Sequence, residues 1–162
     1  VLNKIIGGGT TSRLYHSLVV ENNLAVSAGS WYRAENIGPS VFGFYASPQD
    51  GISIEKLENS VDSVINSVVN GGVSQEEVDD AKTQLQRSAV FAKDSVTAPA
   101  RTIGSALAMG RSIQDIESWP DKVSEVTRDD VIAAAKWVLQ IRHSLTAVLL
   151  PKINIPKKPG KA

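Results

Sequence analysis

Three kinds of residue in this sequence could carry chemistry: a glycine run followed by hydroxyls, two histidines, and two pairs of adjacent aspartates. The run is "GGGTTS", residues 7–12. Glycine-rich loops bind phosphate when a Gly-Lys-Ser/Thr ending supplies a lysine, or when the loop directly follows a strand. Here Thr10 follows Gly9, and a helix-like segment precedes the run. The spacing therefore favours a joint between two helices over a phosphate site.

Neither histidine has the neighbours that a metal site requires. His16 and His143 lack a second histidine or a carboxylate three or four residues further on, where a helix would place it on the same face. A zinc site needs three or four converging ligands, and the sequence contains no cysteine. We therefore predict surface or packing roles for both histidines.

The sequence gives no better support to nucleophilic or acid–base catalysis. Ser105 lacks the second glycine of a nucleophile elbow. The pairs Asp79–Asp80 and Asp129–Asp130 would point about 100° apart around a helix, which does not suit a shared proton. Negative charge near a helix N-terminus is stabilising by ~0.3–1 kcal/mol. We therefore predict that these aspartates serve helix N-termini.

Composition limits the classes of partner. The 162 residues include 17 basic and 17 acidic side chains, so the formal net charge is zero, and 42% of the residues are hydrophobic. Nucleic acids and anionic membranes need clustered positive charge, so neither is expected as a partner. No apolar run reaches the ~18 residues of a membrane span. A cysteine-free chain is compatible with the cytoplasm and with the periplasm.

Hydrophobic periodicity predicts helices at both ends of the glycine run, then two strands, then four or five helices and a last strand. The predicted strands are 24–35, 40–49 and 144–151. The first two should pair antiparallel because their connection is short, with Phe42 and Phe44 on the face opposite Tyr45. Strands and helices are segregated along the chain, which predicts an α+β fold with an antiparallel sheet packed against a layer of helices.

Local signals predict where the helices begin. Thr10, Thr11 or Ser12 can cap the helix after the glycines, and the spacings Ser74–Glu77 and Thr127–Asp130 indicate capping boxes. Ser112 is expected to cap a short helix. The small residues Gly104, Ala106 and Ala108 indicate close approach of a neighbouring element, and Phe91 is expected to point inward.

The opening stretch resembles the signature of the M16 metallopeptidases, the family of pitrilysin, insulysin and the mitochondrial processing peptidase. The stretch reads "IIGGGTTSRLYHSLVVENNLAVSA", residues 5–28, in the same register and without a gap. Later stretches, among them "GVSQEEVDDAKTQLQ" and "SLTAVLLP", extend the resemblance to Pro151. The signature residues are Gly7, Gly8, Gly9, Ser12, Arg13 and Leu14.

The resemblance implies that residues 1–151 are most of the C-terminal half of such an enzyme, N-terminally truncated. Residues 152–162 are rich in Lys and Pro, from which we expect a flexible tail. In this family the N-terminal half carries the motif HxxEH, whose histidines and a distant glutamate bind zinc. No HxxEH occurs here. We therefore expect no cofactor in this chain, and zinc in an N-terminal half outside it.

Two positions depart from the family pattern. The second half often supplies an arginine and, seven residues later, a tyrosine that hold the substrate backbone, and the matching positions here are Val19 and Val26. Valine cannot donate those hydrogen bonds, each worth roughly 1.5–3 kcal/mol when charge-assisted. We therefore expect that this half does not itself clamp substrate.

Three interpretations follow. The chain could be the non-catalytic wall of a peptide-binding chamber in a zinc metalloendopeptidase, whose substrate is a peptide or unfolded polypeptide and whose partner subunit supplies the Arg/Tyr pair. It could instead be a scaffold subunit without peptidase activity, like the core subunits of a respiratory complex. An unrelated binding module is the third. In the first, the strand aromatics Trp31, Tyr32, Phe42 and Tyr45 either line the wall or pack in the core.

Overall fold

The computed structural model describes residues 1–33, 36–95 and 97–150, and for Lys93 the backbone alone. The tail expected at 152–162 lies outside the described residues. The helices and strands are α1 Leu2–Gly7, α2 Arg13–Tyr15 with a π-helical continuation His16–Glu21, β1 Ala25–Tyr32, β2 Phe42–Pro48, α3 Ile54–Gly71, α4 Gln75–Lys93, α5 Ala98–Ala108, α6 Ile113–Glu117, α7 Trp119–Glu125, α8 Arg128–Val138 and a 3-10 turn Ile141–His143. No helix in these ranges is both long and apolar enough to cross a membrane.

The two described strands pair antiparallel, as the sequence predicts. Ala28 lies opposite Ala46 and Ser30 lies opposite Phe44. Phe44 lies on the face of the hairpin that packs against the core. Tyr45 lies on the opposite face and is 55% exposed. The pleat therefore divides the hairpin into a core face and an outward face.

One hydrophobic core joins the hairpin to the helices. Its most deeply buried large side chains come from α1, α2 with its π-helical continuation, α3 and α4: Ile6, Leu14, Leu18, Val68 and Val78. Val131 and Ala135 of α8 complete the same cluster. The helices cover the inner face of the hairpin, which confirms the α+β fold.

The glycine run forms the expected joint between two helices, but the expected capping bond to α2 from a hydroxyl after the run is absent. Gly7 remains inside α1, and a Cβ there would lie 2.7 Å from the carbonyl carbon of Gly29 and closer still to the amide of Ser30. Gly7 is therefore needed for close approach to β1. The hydroxyl of Ser12, at the N-cap position of α2, makes no capping bond and donates instead to the Gly9 carbonyl at 2.6 Å.

The predicted helix starts are confirmed where the signal is local. Capping boxes are present at α4, with Ser74 and Glu77, and at α8, with Thr127 and Asp130. Ser112 caps α6. A capping box depends on residues three positions apart, so the sequence contains all of its parts.

Three expectations about packing are wrong. Residues 144–150 are not a strand, and Phe91 is 71% exposed. Of the small residues in α5, Ala106 is buried, but Gly104 and Ala108 are exposed. A continuous apolar run is typical of a strand buried on both faces, yet a strand requires a neighbour for its hydrogen bonds. The described part of the chain places no strand beside 144–150.

Candidate functional site

The two positions that the resemblance matches to the Arg/Tyr pair, Val19 and Val26, both lie in irregular backbone. Val19 belongs to the π-helical segment that continues α2, where the amide of Asn22 bonds the carbonyl of Ser17, five residues earlier, at 3.1 Å. Val19 is half-buried and packs against the core. Single π-helical turns inside α-helices are frequent at functional sites.

Val26 lies at an irregularity in the strand. The β1–β2 register passes from Ala25 opposite Pro48 to Ser27 opposite Ser47, which leaves Val26 without a partner in β2. Such a bulge changes the direction of a side chain relative to the regular pleat. Val26 is 62% exposed.

A short turn connects the two positions. Asn23 has the positive φ of 48°, and the amide of Leu24 bonds the carbonyl of Leu18 at 2.8 Å. Both positions therefore lie in irregular backbone, and both side chains are aliphatic and have no hydrogen-bond donor. The sequence carries no signal for the bulge, because a valine within an apolar strand pattern is ordinary.

The signature residue Arg13 anchors the connection between α3 and α4. Its guanidinium donates to both carboxylate oxygens of Glu77, from Nε to Oε1 at 2.6 Å and from Nη2 to Oε2 at 2.8 Å. Nη2 also donates to the carbonyl of Gly72 at 3.1 Å. This bidentate fork links α2 to the α3–α4 connection. Because most of its donors are bonded within the fold, Arg13 has little capacity left to bind a ligand.

Glu77 serves two structural bonds at once. The pKa of the Glu77 carboxyl lies below its usual value, mainly because of the hydrogen bond from Arg13. A hydrogen bond from the Ser74 amide to Glu77 Oε2, at 2.7 Å, lowers this pKa further, whereas partial burial raises it. On the same turn, Arg128 donates from Nε to the carbonyl of Val73 at 2.6 Å. The sequence reasoning did not find Arg128, because its partner is a backbone carbonyl 55 residues away.

The histidines do not meet as metal ligands. His16 lies in a shallow polar groove between the π-helical segment and α3, with its Nδ1 3.3 Å from Glu21 Oε1. His143 is exposed in the 3-10 turn. Among the described residues, no three His, Asp or Glu side chains cluster in a way that would hold a metal ion. These residues therefore do not fit a zinc site.

The other candidate residues also stay apart. Ser105 lines a shallow depression with Ala98, Arg101 and Thr102 on α5. The prediction that the aspartate pairs serve helix N-termini is wrong for Asp79 and Asp80, which are exposed in α4 beyond its first turn. It is confirmed for Asp129 and Asp130, which lie in the first turn of α8, where Asp130 serves the capping box. No described hydrogen bond connects any of these groups to Val19 or Val26.

The strand aromatics divide between the two possible roles. Trp31, Tyr32 and Tyr45 are 43%, 50% and 55% exposed, whereas Phe42 is half-buried and packs on the core. The hairpin therefore presents aromatic rings outward. The prediction that such rings line a wall stays a prediction.

Comparison with known proteins places the chain in a family. The family described as "Peptidase M16 inactive domain" matches residues 1–85, which is more than half of the 162. An uncharacterized zinc protease of Streptomyces coelicolor is 32% identical over 149 residues, covering 91% of this chain and 32% of that protein. The chain spans about a third of the length of this and two other curated relatives, 31–35% of each.

Solved structures agree in fold. A protease from Helicobacter pylori superposes with a TM-score of 0.78 at 22% identity, over 86% of this chain and 33% of that one. A peptidase M16 inactive domain from Pseudomonas fluorescens gives 0.70 at 21% identity, over 86% of this chain and 32% of that one. With the signature at residues 5–28 and the α+β architecture, the chain belongs to the peptidase M16 inactive domain family.

Proposed function

We propose that this chain forms a non-catalytic wall of the peptide-binding chamber of a zinc metalloendopeptidase, whose zinc-bearing half lies outside residues 1–162. The observation that carries the proposal is the chemistry of Val19 and Val26. Both positions sit in irregular backbone near one turn, and neither side chain can donate a hydrogen bond to a substrate. The wall therefore shapes the chamber and excludes water from it, and a partner subunit supplies the polar contacts to the substrate.

Two findings support this proposal. The curated relatives are named zinc proteases and are about three times as long as the region they share with this chain. The described residues of this chain contain no cluster of potential metal ligands. A zinc endopeptidase that contains this domain would therefore bind its metal elsewhere in the polypeptide.

The test uses the complete gene product, purified with and without the product of the neighbouring gene. We expect one zinc per complete polypeptide by elemental analysis and none retained by residues 1–162. We also expect cleavage of an unfolded polypeptide that a chelator abolishes and added zinc restores. The matched sample is residues 1–162 alone at the same concentration, with zinc added.

The scaffold alternative makes the opposite prediction. A complete gene product without zinc, inactive even when its neighbour is present, would replace the peptidase proposal with a structural role. Stoichiometric zinc on residues 1–162 that survives mild chelation would contradict both interpretations.

A further inference from the structure

The outward face of the hairpin carries two aromatic rings laid over two glycines. Trp31 lies opposite Gly43, and Tyr45 lies opposite Gly29. A Cβ added to Gly29 would lie 2.6 Å from the Tyr45 hydroxyl, and one added to Gly43 would overlap the Trp31 indole. Each ring therefore rests on the opposite strand. We call Trp31 and Tyr45, with the glycines beneath them, the aromatic platform.

The platform leaves part of the surface of both rings exposed. Trp31 and Tyr45 remain about half exposed, and they lie on diagonal positions of neighbouring strands, which are about 7–8 Å apart in a regular antiparallel pair. Rings of this kind offer a large, rigid contact area at a low cost in side-chain entropy. Two adjacent rings could therefore hold side chains of a bound chain.

The charge on this face narrows the choice of occupant. Alternation along β1 and β2 places Ser27, Ser47 and Val41 on the same face as the rings, together with one described charge, Arg33. The Arg33 guanidinium carbon lies 5.8 Å from the centre of the Trp31 ring. A single arginine is too little for a polyanion such as nucleic acid. It would, however, repel a basic side chain that approached Trp31.

The platform lies on the same strand as the candidate position Val26. Val26, at the bulge, precedes Ser27 on the same strand and is also exposed. Between the bulge and the end of the strand, the ring-bearing face of β1 presents Ser27, then Gly29 beneath Tyr45, then Trp31. A polypeptide that passed the Val26 position could continue across both rings.

We propose that Trp31 and Tyr45 form a subsite for apolar or aromatic side chains of an unfolded polypeptide substrate, which disfavours basic residues because of Arg33. This inference rests on the proposed function, since it names the substrate class that the wall would accept. Burial of an apolar side chain between the rings supplies the affinity.

The test measures peptide binding by residues 1–162 with fluorescence anisotropy. Three labelled ten-residue peptides share one framework and carry Phe and Leu, Ser, or Lys at two central positions. We expect the Phe/Leu peptide to bind roughly tenfold more tightly than the Ser peptide, and the Lys peptide to bind most weakly.

Variants assign the binding to the platform. Trp31→Ala and Tyr45→Ala should each weaken Phe/Leu peptide binding by roughly five- to tenfold. Trp137→Ala is the matched control, because Trp137 on α8 is 78% exposed and should be silent. Circular dichroism checks folding, and Tyr45→Ala retains the test if Trp31→Ala unfolds.

The inference would be overturned by equal binding of all three peptides, by an equal loss in Trp137→Ala, or by no binding to the wild-type chain. A concentration-dependent dimer abolished by Trp31→Ala would do the same, because a second copy would then be the occupant. The zinc and cleavage measurements stay separate. An active complete protein with no peptide preference here contradicts this subsite alone, and an inactive one whose chain binds Phe/Leu peptide contradicts the proposed function alone.

Discussion

At the scale of single residues, two glycines show why residue type alone does not give a role. Gly7 and Gly104 both lie inside helices. A Cβ on Gly7 would overlap the backbone of β1, whereas a Cβ on Gly104 would meet nothing within 4 Å. The fold therefore requires glycine at position 7 and merely tolerates it at position 104.

Gly7→Ala and Gly104→Ala should change stability in opposite directions. The first forces α1 away from Gly29 and Ser30, and we expect a loss of about 2–3 kcal/mol in the free energy of unfolding. The second relieves the entropic cost of glycine in a helix, and we expect a gain of about 0.5–1 kcal/mol. Urea unfolding followed by circular dichroism measures both. Equal effects of the two substitutions would show that α1 does not pack against β1 as described.

At the scale of elements, the connection between α3 and α4 is held by side chains from distant parts of the chain. Arg13 and Arg128 bond the carbonyls of Gly72 and Val73, and Glu77 pairs with Arg13 in a fork. The pair is about 30% exposed, so its energetic value is modest compared with a buried pair. The pair also has a positional role, because it fixes α2 and the π-helical segment that contains Val19.

Glu77→Gln should lower stability in a pH-dependent way. The Arg13 hydrogen bond lowers the pKa of Glu77 in the folded state. Its contribution is therefore present above the unfolded value near pH 4.5 and disappears as the pH falls through the folded value. We expect Glu77→Gln to lower the free energy of unfolding by about 1 kcal/mol at pH 7, a modest loss because glutamine keeps the oxygen that accepts the capping bond. The loss should shrink below pH 4.5, where Glu77 begins to be protonated in the unfolded wild-type protein. Urea unfolding between pH 3 and 7 measures it.

Lys122→Ala serves as the control for this substitution. Lys122 pairs with Asp115 at 3.1 Å, but both side chains are about half exposed. We expect a change within about 0.5 kcal/mol at pH 7. A Glu77→Gln effect that did not vary with pH would mean that the Arg13 contact contributes through packing and not through charge.

At the scale of the whole molecule, the described sheet has two strands and the apolar segment 144–150 stands apart from it. Leu145 and Leu149 are almost fully exposed, at 94% and 97%. Exposed apolar patches mark surfaces that another element can cover. In this chain the segment adds little to the core, which is built from the helices and the inner face of the hairpin.

Leu149→Ser therefore should leave stability almost unchanged. We expect a change within about 0.5 kcal/mol in the free energy of unfolding, because an exposed side chain loses no packing. Leu14→Ala is the matched comparison, since Leu14 is fully buried, and we expect a loss of about 2–5 kcal/mol. A loss above about 1.5 kcal/mol for Leu149→Ser would show that 144–150 packs into a sheet after all.

Sequence reasoning succeeded where the interacting residues are near neighbours in the chain. The capping boxes of Ser74–Glu77 and Thr127–Asp130 and the antiparallel hairpin were predicted from spacings of a few residues. Reasoning failed for Phe91 and for 144–150, because hydrophobicity indicates that a residue prefers burial without showing what covers it. The roles of Val19 and Val26 stay predictions.

The sequence by itself determined the family, the α+β class and the starts of α4, α6 and α8, because these depend on local periodicity, capping and an ungapped signature over residues 5–28. Only the tertiary structure decided that Gly7 faces the backbone of β1, that Val26 lies at a bulge and that Arg13 forks to Glu77. The physical reason is distance along the chain. Register, close approach and long-range ion pairs are set when separate segments pack together, and no single segment contains the information that specifies them.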